Sequence, residues 1–301
     1  MRLRGAAAVV LLALGFSAHA TPLEVRDDRG QLLRFAAPAE RIISIAPHLT
    51  EITFAAGAGG KLVAVSEYSD YPPEAKRLPR IGDGARVDIE RILTLKPDLI
   101  LAWKSGNQVG DIEKLMRLGF RVWVSEVSRL ADIPRLLRDV ARLAGTAAAG
   151  ERAAGDFERE LQRLRDRGGV QARTQEPLRV FYEIWHQPLL TVNGAHMISA
   201  AITLCGGINI FADVPVLTPA VSLEAVLAAR PHILLGGGSA NGEAEFLGRW
   251  SRTPLAALRA IPARFIAPDG IQRQSPRVID GIRAICAHLD SAHVPLKKLS
   301  R

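Results

Sequence analysis

The stretch Val87-Asp88-Ile89-Glu90-Arg91-Ile92-Leu93-Thr94-Leu95-Lys96-Pro97-Asp98-Leu99-Ile100-Leu101 returns without a gap as Val221-Ser222-Leu223-Glu224-Ala225-Val226-Leu227-Ala228-Ala229-Arg230-Pro231-His232-Ile233-Leu234-Leu235. Each copy reads as helix, turn and buried strand. Asp88 or Ser222 is placed to cap the helix, Pro97 or Pro231 cannot continue it, and an aliphatic run follows. Two copies of one supersecondary unit in 301 residues imply two halves of the same build. Glu90 and Glu224 fall in the first helical turn of their copies, where a carboxylate complements the helix dipole.

Outward from the first copy, apolar runs at 41–45 and 62–65 alternate with a helix over 49–56 that stops at Gly57, a helix over 88–95, a strand over 98–103, a helix over 109–118 and a strand over 121–124. In the second half, strands over 178–182 and 233–235 alternate with helices near 197–204, over 223–229 and over 276–289. This alternation predicts parallel α/β sheets covered on both faces. Between the halves, residues 144–167 are rich in Ala, Glu and Arg, lack proline and carry apolar marks at Phe157, Leu161 and Leu164. The pattern predicts one helix of about 36 Å, ended by Gly168-Gly169, that bridges the two halves rigidly.

The composition, 48% hydrophobic and 23% charged, suits a packed chain and excludes a disordered one. Two cysteines are too few for a Cys-rich metal protein, and no run of eighteen apolar residues spans a bilayer. Residues 1–20, MRLRGAAAVVLLALGFSAHA, have a basic start, an apolar middle and a small-x-small end, and predict a signal peptide cleaved after Ala20. No cysteine follows that site, so a lipid anchor is not expected. The net charge of +8 falls to +6 without Arg2 and Arg4, and the remaining basic residues are interleaved with carboxylates. With aromatics at 5%, nucleic acid is not an expected partner. In an exported compartment Cys205 and Cys286 can pair, the alternative being two separate buried thiols. The expected organisation is a leader over 1–20, an N-terminal lobe over 21–143, a connecting helix over 144–168, a C-terminal lobe over 169–291 and a basic tail over 292–301.

The chain lacks the usual marks of catalysis. Gly57, Gly59 and Gly60 do not complete a dinucleotide fingerprint, and Lys61 is followed by Leu62 where a phosphate loop needs Ser or Thr. HExxH and CxxC are absent, and the Gly237-Gly238-Ser239-Ala240-Asn241 segment is not a nucleophile elbow. The seven histidines are dispersed, which gives no compact zinc site. The expectation is therefore a binding protein with no catalytic residue, cofactor or bound metal. An α/β hydrolase or metalloenzyme is the remote alternative. What remains are residues just past strand ends: Tyr68 and Tyr71, Trp103, Tyr182 with Trp185 and His186, and Asp269 with Arg273. The carboxyl ends of parallel strands line ligand crevices. Singly, each aromatic could serve packing, and Asp269 with Arg273 could be a surface ion pair.

The stretches RIISIAPHLTEITF (41–54), SEYSDYPPEA (66–75), VDIERILTLKPDLILAW (87–103), LCGGINIF (204–211), VSLEAVLAARP (221–231) and SPRVIDGIRAIC (275–286) resemble the helical-backbone, class III periplasmic binding proteins that serve ABC importers. YSDYPP and ERI…LKPDL…AW resemble the branch that carries cobalamin. The resemblance covers roughly 41–289. It implies two lobes with Rossmann-like parallel α/β cores joined by one long helix, with a ligand cleft between them. It also implies a monomer in the periplasm that hands a corrinoid, cobalamin above all, to the membrane subunits of an ABC importer. Tyr68 and Trp103 would meet the corrin from one lobe and Trp185, or Ile184 by a one-residue shift, from the other. Asp269 and Arg273 match the family's polar pair near the ligand, Glu90 and Glu224 its two transporter-docking carboxylates, and Cys205 and Cys286 its disulfide. Two positions depart from the cobalamin pattern: Gly84 and Thr218 stand where tryptophans are expected. His48 and His186 lie near the expected cleft and could serve haem iron as axial ligands, which makes haem or a ferric siderophore the alternative cargo. A trianionic siderophore would want several convergent arginines, and only Arg273, with Lys104 and Arg86 as helpers, is placed for it.

Overall fold

The computed structural model describes residues 23–84, 86–174, 176–237 and 242–299. The leader expected over 1–20 lies outside the described residues. In chain order the strands are β1 Leu23–Arg26, β2 Leu32–Phe35, β3 Ile42–Ser44, β4 Leu62–Val65, β5 Leu99–Trp103, β6 Val122–Ser125, β7 Leu178–Glu183, β8 Trp185–His186, β9 Leu189–Leu190, β10 Gly207–Asn209, β11 Ile233–Gly236 and β12 Ala263–Phe265. The α-helices are α1 Pro47–Ala55, α2 Ile89–Leu95, α3 Val109–Arg117, α4 Asp132–Leu143, α5 Ala147–Thr174, α6 Met197–Leu204, α7 Leu223–Ala228, α8 Gly242–Ser251, α9 Ala256–Arg259 and α10 Val278–Leu299.

Two four-stranded parallel sheets carry the fold, in the orders β4-β3-β5-β6 and β10-β7-β11-β12. Numbered within each half, both are 2-1-3-4, so the duplication seen in one stretch extends to the whole sheet. The central strands are aliphatic throughout because helices cover both faces: Ile42, Ile43, Ile100, Leu101, Val180 and Leu234 are all fully buried. The order reverses between β3 and β5 in one lobe and between β7 and β11 in the other, and crevices form beyond the strand ends at such points.

The duplication persists in the side chains that close each unit. Asp88 accepts a hydrogen bond from the Arg91 N–H at 3.0 Å, and Ser222 accepts one from the Ala225 N–H at 3.2 Å. Lys96 and Arg230, each just before the proline, both take positive φ, 46° and 47°. Below each helix end sits an arginine that the sequence did not single out. Arg41 donates through Nη2 to the Leu95 carbonyl at 2.6 Å, and Arg179 donates through Nη2 to the Ala229 carbonyl at 2.7 Å. Each caps orphan carbonyls at the negative end of a helix and ties that helix to a sheet.

Helix α5 crosses between the lobes, and its buried stripe is Ala154, Phe157, Leu161 and Leu164. It starts three residues later than its sequence pattern suggests and continues through Gly168-Gly169 to Thr174. Gly168 is not a stop. A Cβ there would lie 1.7 Å from the Leu204 carbonyl oxygen, so the glycine lets α5 touch the end of α6. The residues read as a basic tail belong, as far as Leu299, to α10. Helix α4, with Pro134 in its first turn, carries apolar residues at helical spacing, Ile133, Leu136, Leu137, Val140 and Leu143, that the strand-and-helix reading above leaves out, whereas the β1–β2 hairpin and the short strands β8, β9, β10 and β12 lack a sequence signal long enough to read. A disulfide joins Cys205, at the C-cap of α6, to Cys286 in α10 across 81 residues.

Thiol titration of the unfolded, unreduced protein is expected to find no free thiol. Replacing both cysteines by serine should lower stability by about 4 kcal/mol in denaturant unfolding, the chain-entropy value for a loop of this size. Arg41→Ala and Arg179→Ala are each expected to cost about 0.5–1.5 kcal/mol in the same measurement, Arg41 the less because its bonds are exposed and water can take over the carbonyls.

Candidate functional site

Of the residues past the strand ends, Arg273 with Asp269 reaches the seam between the lobes. Glu51, on α1, has a side chain 2% exposed, yet three groups of the C-terminal half reach it. Arg273 Nη1 lies 3.0 Å and Arg277 Nη1 3.1 Å from Oε1, and the Ser275 hydroxyl donates to Oε2 at 2.6 Å. Arg273 also reaches Asp70 of the N-terminal lobe at 2.7 Å and Asp269 of its own lobe at 3.0 Å. Burial alone would raise the Asp70 carboxyl, but the hydrogen bond and charge of Arg273 outweigh it and hold that group below the usual carboxylate range. The expected Asp269–Arg273 pair is thus real, but Arg273 spends most of its donors across the seam. Arg277 lies 4.2 Å over the Tyr71 ring, a further contact at the same place.

Above this cluster, a buried hydroxyl network fixes the 66–70 loop. Thr50 Oγ1 lies 3.0 Å from Ser44 Oγ and 3.1 Å from Ser69 Oγ, Ser66 and Ser69 are 3.1 Å apart, and Arg80 holds the Ser66 and Ser69 carbonyls. Tyr68 is left at φ 62° and 73% exposed. A tyrosine in this strained conformation, presented by a rigid loop, is a feature found at ligand-contacting positions.

Trp103 ends β5 at half burial. Its backbone N–H donates to Asn107 Oδ1 at 2.7 Å, and its indole N–H points to Glu126 at 3.3 Å. Gly106 makes room for the ring: a Cβ there would meet Trp103 ring carbon at 1.8 Å. Asn107 is itself buried and donates to the Ile45 carbonyl, which fixes the turn under the ring.

His48 departs from the expectation. It is 3% exposed, edge-on to Trp103 with ring centroids 5.1 Å apart, and its Nε2 has no hydrogen-bond partner. Burial, with the positive charge of Arg273, pushes its pKa down to about 3, so the ring is neutral and enclosed, not presented as a ligand. The pattern within one element does not mark a histidine that falls under a tryptophan at the end of the neighbouring strand.

In the C-terminal lobe Trp185 and His186 form β8, the near strand of a small hairpin, with ring centroids 5.5 Å apart. Trp185 is 45% exposed. His186 faces Glu245 at 4.0 Å and lines a cavity of about 700 Å³ with Glu183 and Arg249. Glu183 is, with Glu51, a buried acid that the sequence does not mark. Burial pushes its pKa up to about 7 against the pull of Arg249 and the Trp250 N–H. Only its position as the last residue of a buried strand signals it. Tyr182, beside it, is fully buried, which fits packing and not ligand contact. Among the described residues no ring contact joins Trp185 to Tyr68 or Trp103, and no cluster of His, Cys, Asp and Glu could hold a metal ion.

Glu90 and Glu224 are both exposed, at equivalent places in α2 and α7, one on each lobe. The own-residue backbone N–H and the Ser222 hydroxyl hold the Glu224 carboxyl below its ordinary range, so it is charged at neutral pH.

Known proteins agree with this geometry. The profile of the family described as periplasmic binding protein matches residues 42–261. The vitamin B12-binding protein of Vibrio cholerae is 40% identical over 261 residues, 87% of this chain and 93% of that one. Its counterpart of the same name in Pectobacterium carotovorum is also 40% identical, over 86% of this chain and 92% of its own. Among solved structures, the periplasmic vitamin B12 binding protein of Vibrio cholerae superposes with a TM-score of 0.74 at 41% identity, covering 85% of this chain and 98% of that one. The apo periplasmic haem-binding protein of Roseiflexus sp. RS-1 superposes with a TM-score of 0.70 at 28% identity, covering 84% and 99%. With two 2-1-3-4 lobes, a bridging helix and relatives matched over nearly their whole length, the chain belongs to the periplasmic binding protein family.

Proposed function

We propose that the protein captures a corrinoid, cobalamin in the first place, between its lobes in the periplasm and delivers it to an ABC importer. The observation that carries this reading is the pair of aromatic faces at the sheet ends: Tyr68 and Trp103 on one lobe and Trp185 on the other, exposed or half-buried and held by rigid loops. A large, mainly neutral, amide-rimmed macrocycle needs apolar walls of that kind more than it needs charge. The relatives named for vitamin B12 support the same ligand. Asp269 and Arg273 would meet its polar rim, Arg273 by yielding part of its hold on Asp70.

Haem is the second reading, favoured by the 28% identical haem-binding structure. With His48 enclosed, that reading falls to Tyr68 and His186 as iron ligands. Binding, not catalysis, is the role in either case, with no cofactor and the protein acting as a monomer free of a lipid anchor. Glu90 and Glu224 would dock onto cationic groups of the membrane subunits, a two-point charged contact that sets register.

Calorimetric titration of the mature chain with cyanocobalamin and, in parallel, haemin is expected to give one-to-one binding of cyanocobalamin; binding of haemin alone would replace the corrinoid reading with the haem one. Trp103→Ala is expected to weaken cyanocobalamin about tenfold, the size of one aromatic contact, and unchanged affinity would return Trp103 to packing. Glu90→Ala and Glu224→Ala should leave affinity unaltered while lowering transporter-dependent uptake in reconstituted vesicles; lost ligand binding in these variants would contradict the docking role.

A further inference from the structure

Tyr68 stands where the chain would ordinarily place glycine. It is the third residue of a turn closed by the Ser69 N–H on the Ser66 carbonyl at 3.3 Å, and its φ of 62° is a conformation that a side chain disfavours. Its own ring is mostly exposed, so little packing of residue 68 offsets that cost. A strained residue persists only where its surroundings over-determine it. Here the backbone is gripped on both sides: the Ser66 N–H donates to the Ser44 carbonyl at 2.9 Å, the Glu67 N–H to the Gly82 carbonyl at 2.7 Å and the Asp70 N–H to the Tyr68 carbonyl at 3.1 Å. Arg80 Nη1 donates to the Ser66 carbonyl at 3.0 Å and to the Ser69 carbonyl at 2.8 Å, which pins the two ends of the turn to one guanidinium.

The buried hydroxyls beneath the turn have a direction. Ser44, Thr50, Ser66 and Ser69 are all buried, and each hydroxyl has one proton to give. Among the described residues Ser66 Oγ has one partner, Ser69 Oγ, so it donates there; Ser69 then has only Thr50 Oγ1 left to receive its proton. Thr50 passes its own to Ser44 Oγ at 3.0 Å, and Ser44 ends the chain on the Ala46 carbonyl at 2.9 Å. Any other order leaves a buried proton without an acceptor, which is costly. The chain thus runs one way from the turn to the start of α1, with Thr50 at its middle. Glu51, the next residue of α1, receives Arg273, and Asp70, the residue after Ser69, is held by the same arginine. The foot of the Tyr68 turn is therefore tied to α1 from beneath and to the other lobe at its far end.

We propose that Thr50 and Arg80 are positioning residues for the cargo: the one-way hydroxyl chain and the guanidinium clamp hold Tyr68 in its left-handed conformation and keep its ring presented past the end of β4. The proposal rests on the corrinoid reading above, in which Tyr68 meets the macrocycle, and names the groups that preorganise that contact. Thr50 is fully buried, so it acts through the turn alone. A ring already fixed in place gives up little conformational freedom on binding, which is the gain the strained backbone secures.

The test is calorimetric titration of the mature chain with cyanocobalamin and, in parallel, haemin, for wild type, Thr50→Val, Thr50→Ser, Arg80→Met and Tyr68→Ala, and for Thr50→Val and Arg80→Met each combined with Tyr68→Ala. Valine keeps the shape of threonine and interrupts the chain at its middle, whereas serine keeps the hydroxyl. Thr50→Val and Arg80→Met are each expected to weaken cyanocobalamin about fivefold, Thr50→Ser to stay within about twofold of wild type, and both losses to vanish once the Tyr68 ring is gone. Equal losses with and without that ring, or no loss in either single variant, overturn the positioning role while the corrinoid reading stands. If one variant does not fold, the other carries the cycle. Tyr68→Gly compared with Tyr68→Ala in denaturant unfolding gives a readout that needs no ligand: glycine is expected to have the higher midpoint, and equal midpoints would overturn the claim that residue 68 is held against its preference. If haemin binds in place of cyanocobalamin, the corrinoid reading falls and the same cycle on haemin decides the positioning role; binding of neither overturns both.

Discussion

A single carboxylate, Glu51, governs how the halves of this molecule meet. A charge at 2% exposure is tolerated only with full compensation, and every one of its partners comes from the other lobe. Separating the lobes would strip Arg273, Arg277 and Ser275 from it at once and leave an unpaired buried charge. That penalty favours one arrangement of the lobes. Burial is the main reason His48 is neutral, and the cation brought in to compensate Glu51 adds to it by disfavouring a second positive charge.

The fold was legible because its repeated unit is spelled with strong local signals. Caps at Asp88 and Ser222, prolines at 97 and 231 and aliphatic strands state a helix, a stop and a buried strand in a form that needs no tertiary context. The central helix was legible as an element but not in its ends. Gly168 carries two meanings in a sequence, helix terminator or close approach, and only the position of Leu204 separates them. Arg41 and Arg179 were silent for the same reason, since an arginine beside a strand says nothing of which carbonyls it will cap.

The site was legible where side chains end strands and illegible where they cross the seam. Trp103, Trp185, Tyr68 and the Asp269–Arg273 pair could be placed by topology and resemblance. Glu51 could not, because its partners lie more than 200 positions away and nothing near it in sequence marks it as buried. Glu183 was hidden as the polar end of an apolar strand. His48 read as available because it precedes the helix that the sequence predicts over 49–56; it lies instead in the first turn of α1, where the ring of Trp103, admitted by Gly106, encloses it.

The near-identity of the two lobes bears on how the protein would meet a membrane partner. Glu90 and Glu224 occupy corresponding places in duplicated units, so each lobe presents one carboxylate at the same point of its fold. If Glu90 and Glu224 dock as proposed, a partner made of two equivalent subunits would meet a carboxylate at the same place of the fold in either of two opposite poses. The lobes stay distinguishable inside, where one holds Trp103 over His48 and the other the Glu183 cavity. A bound cargo would therefore face the translocation path with either of two ends, and a receiving channel on such a partner has to be tolerant of both.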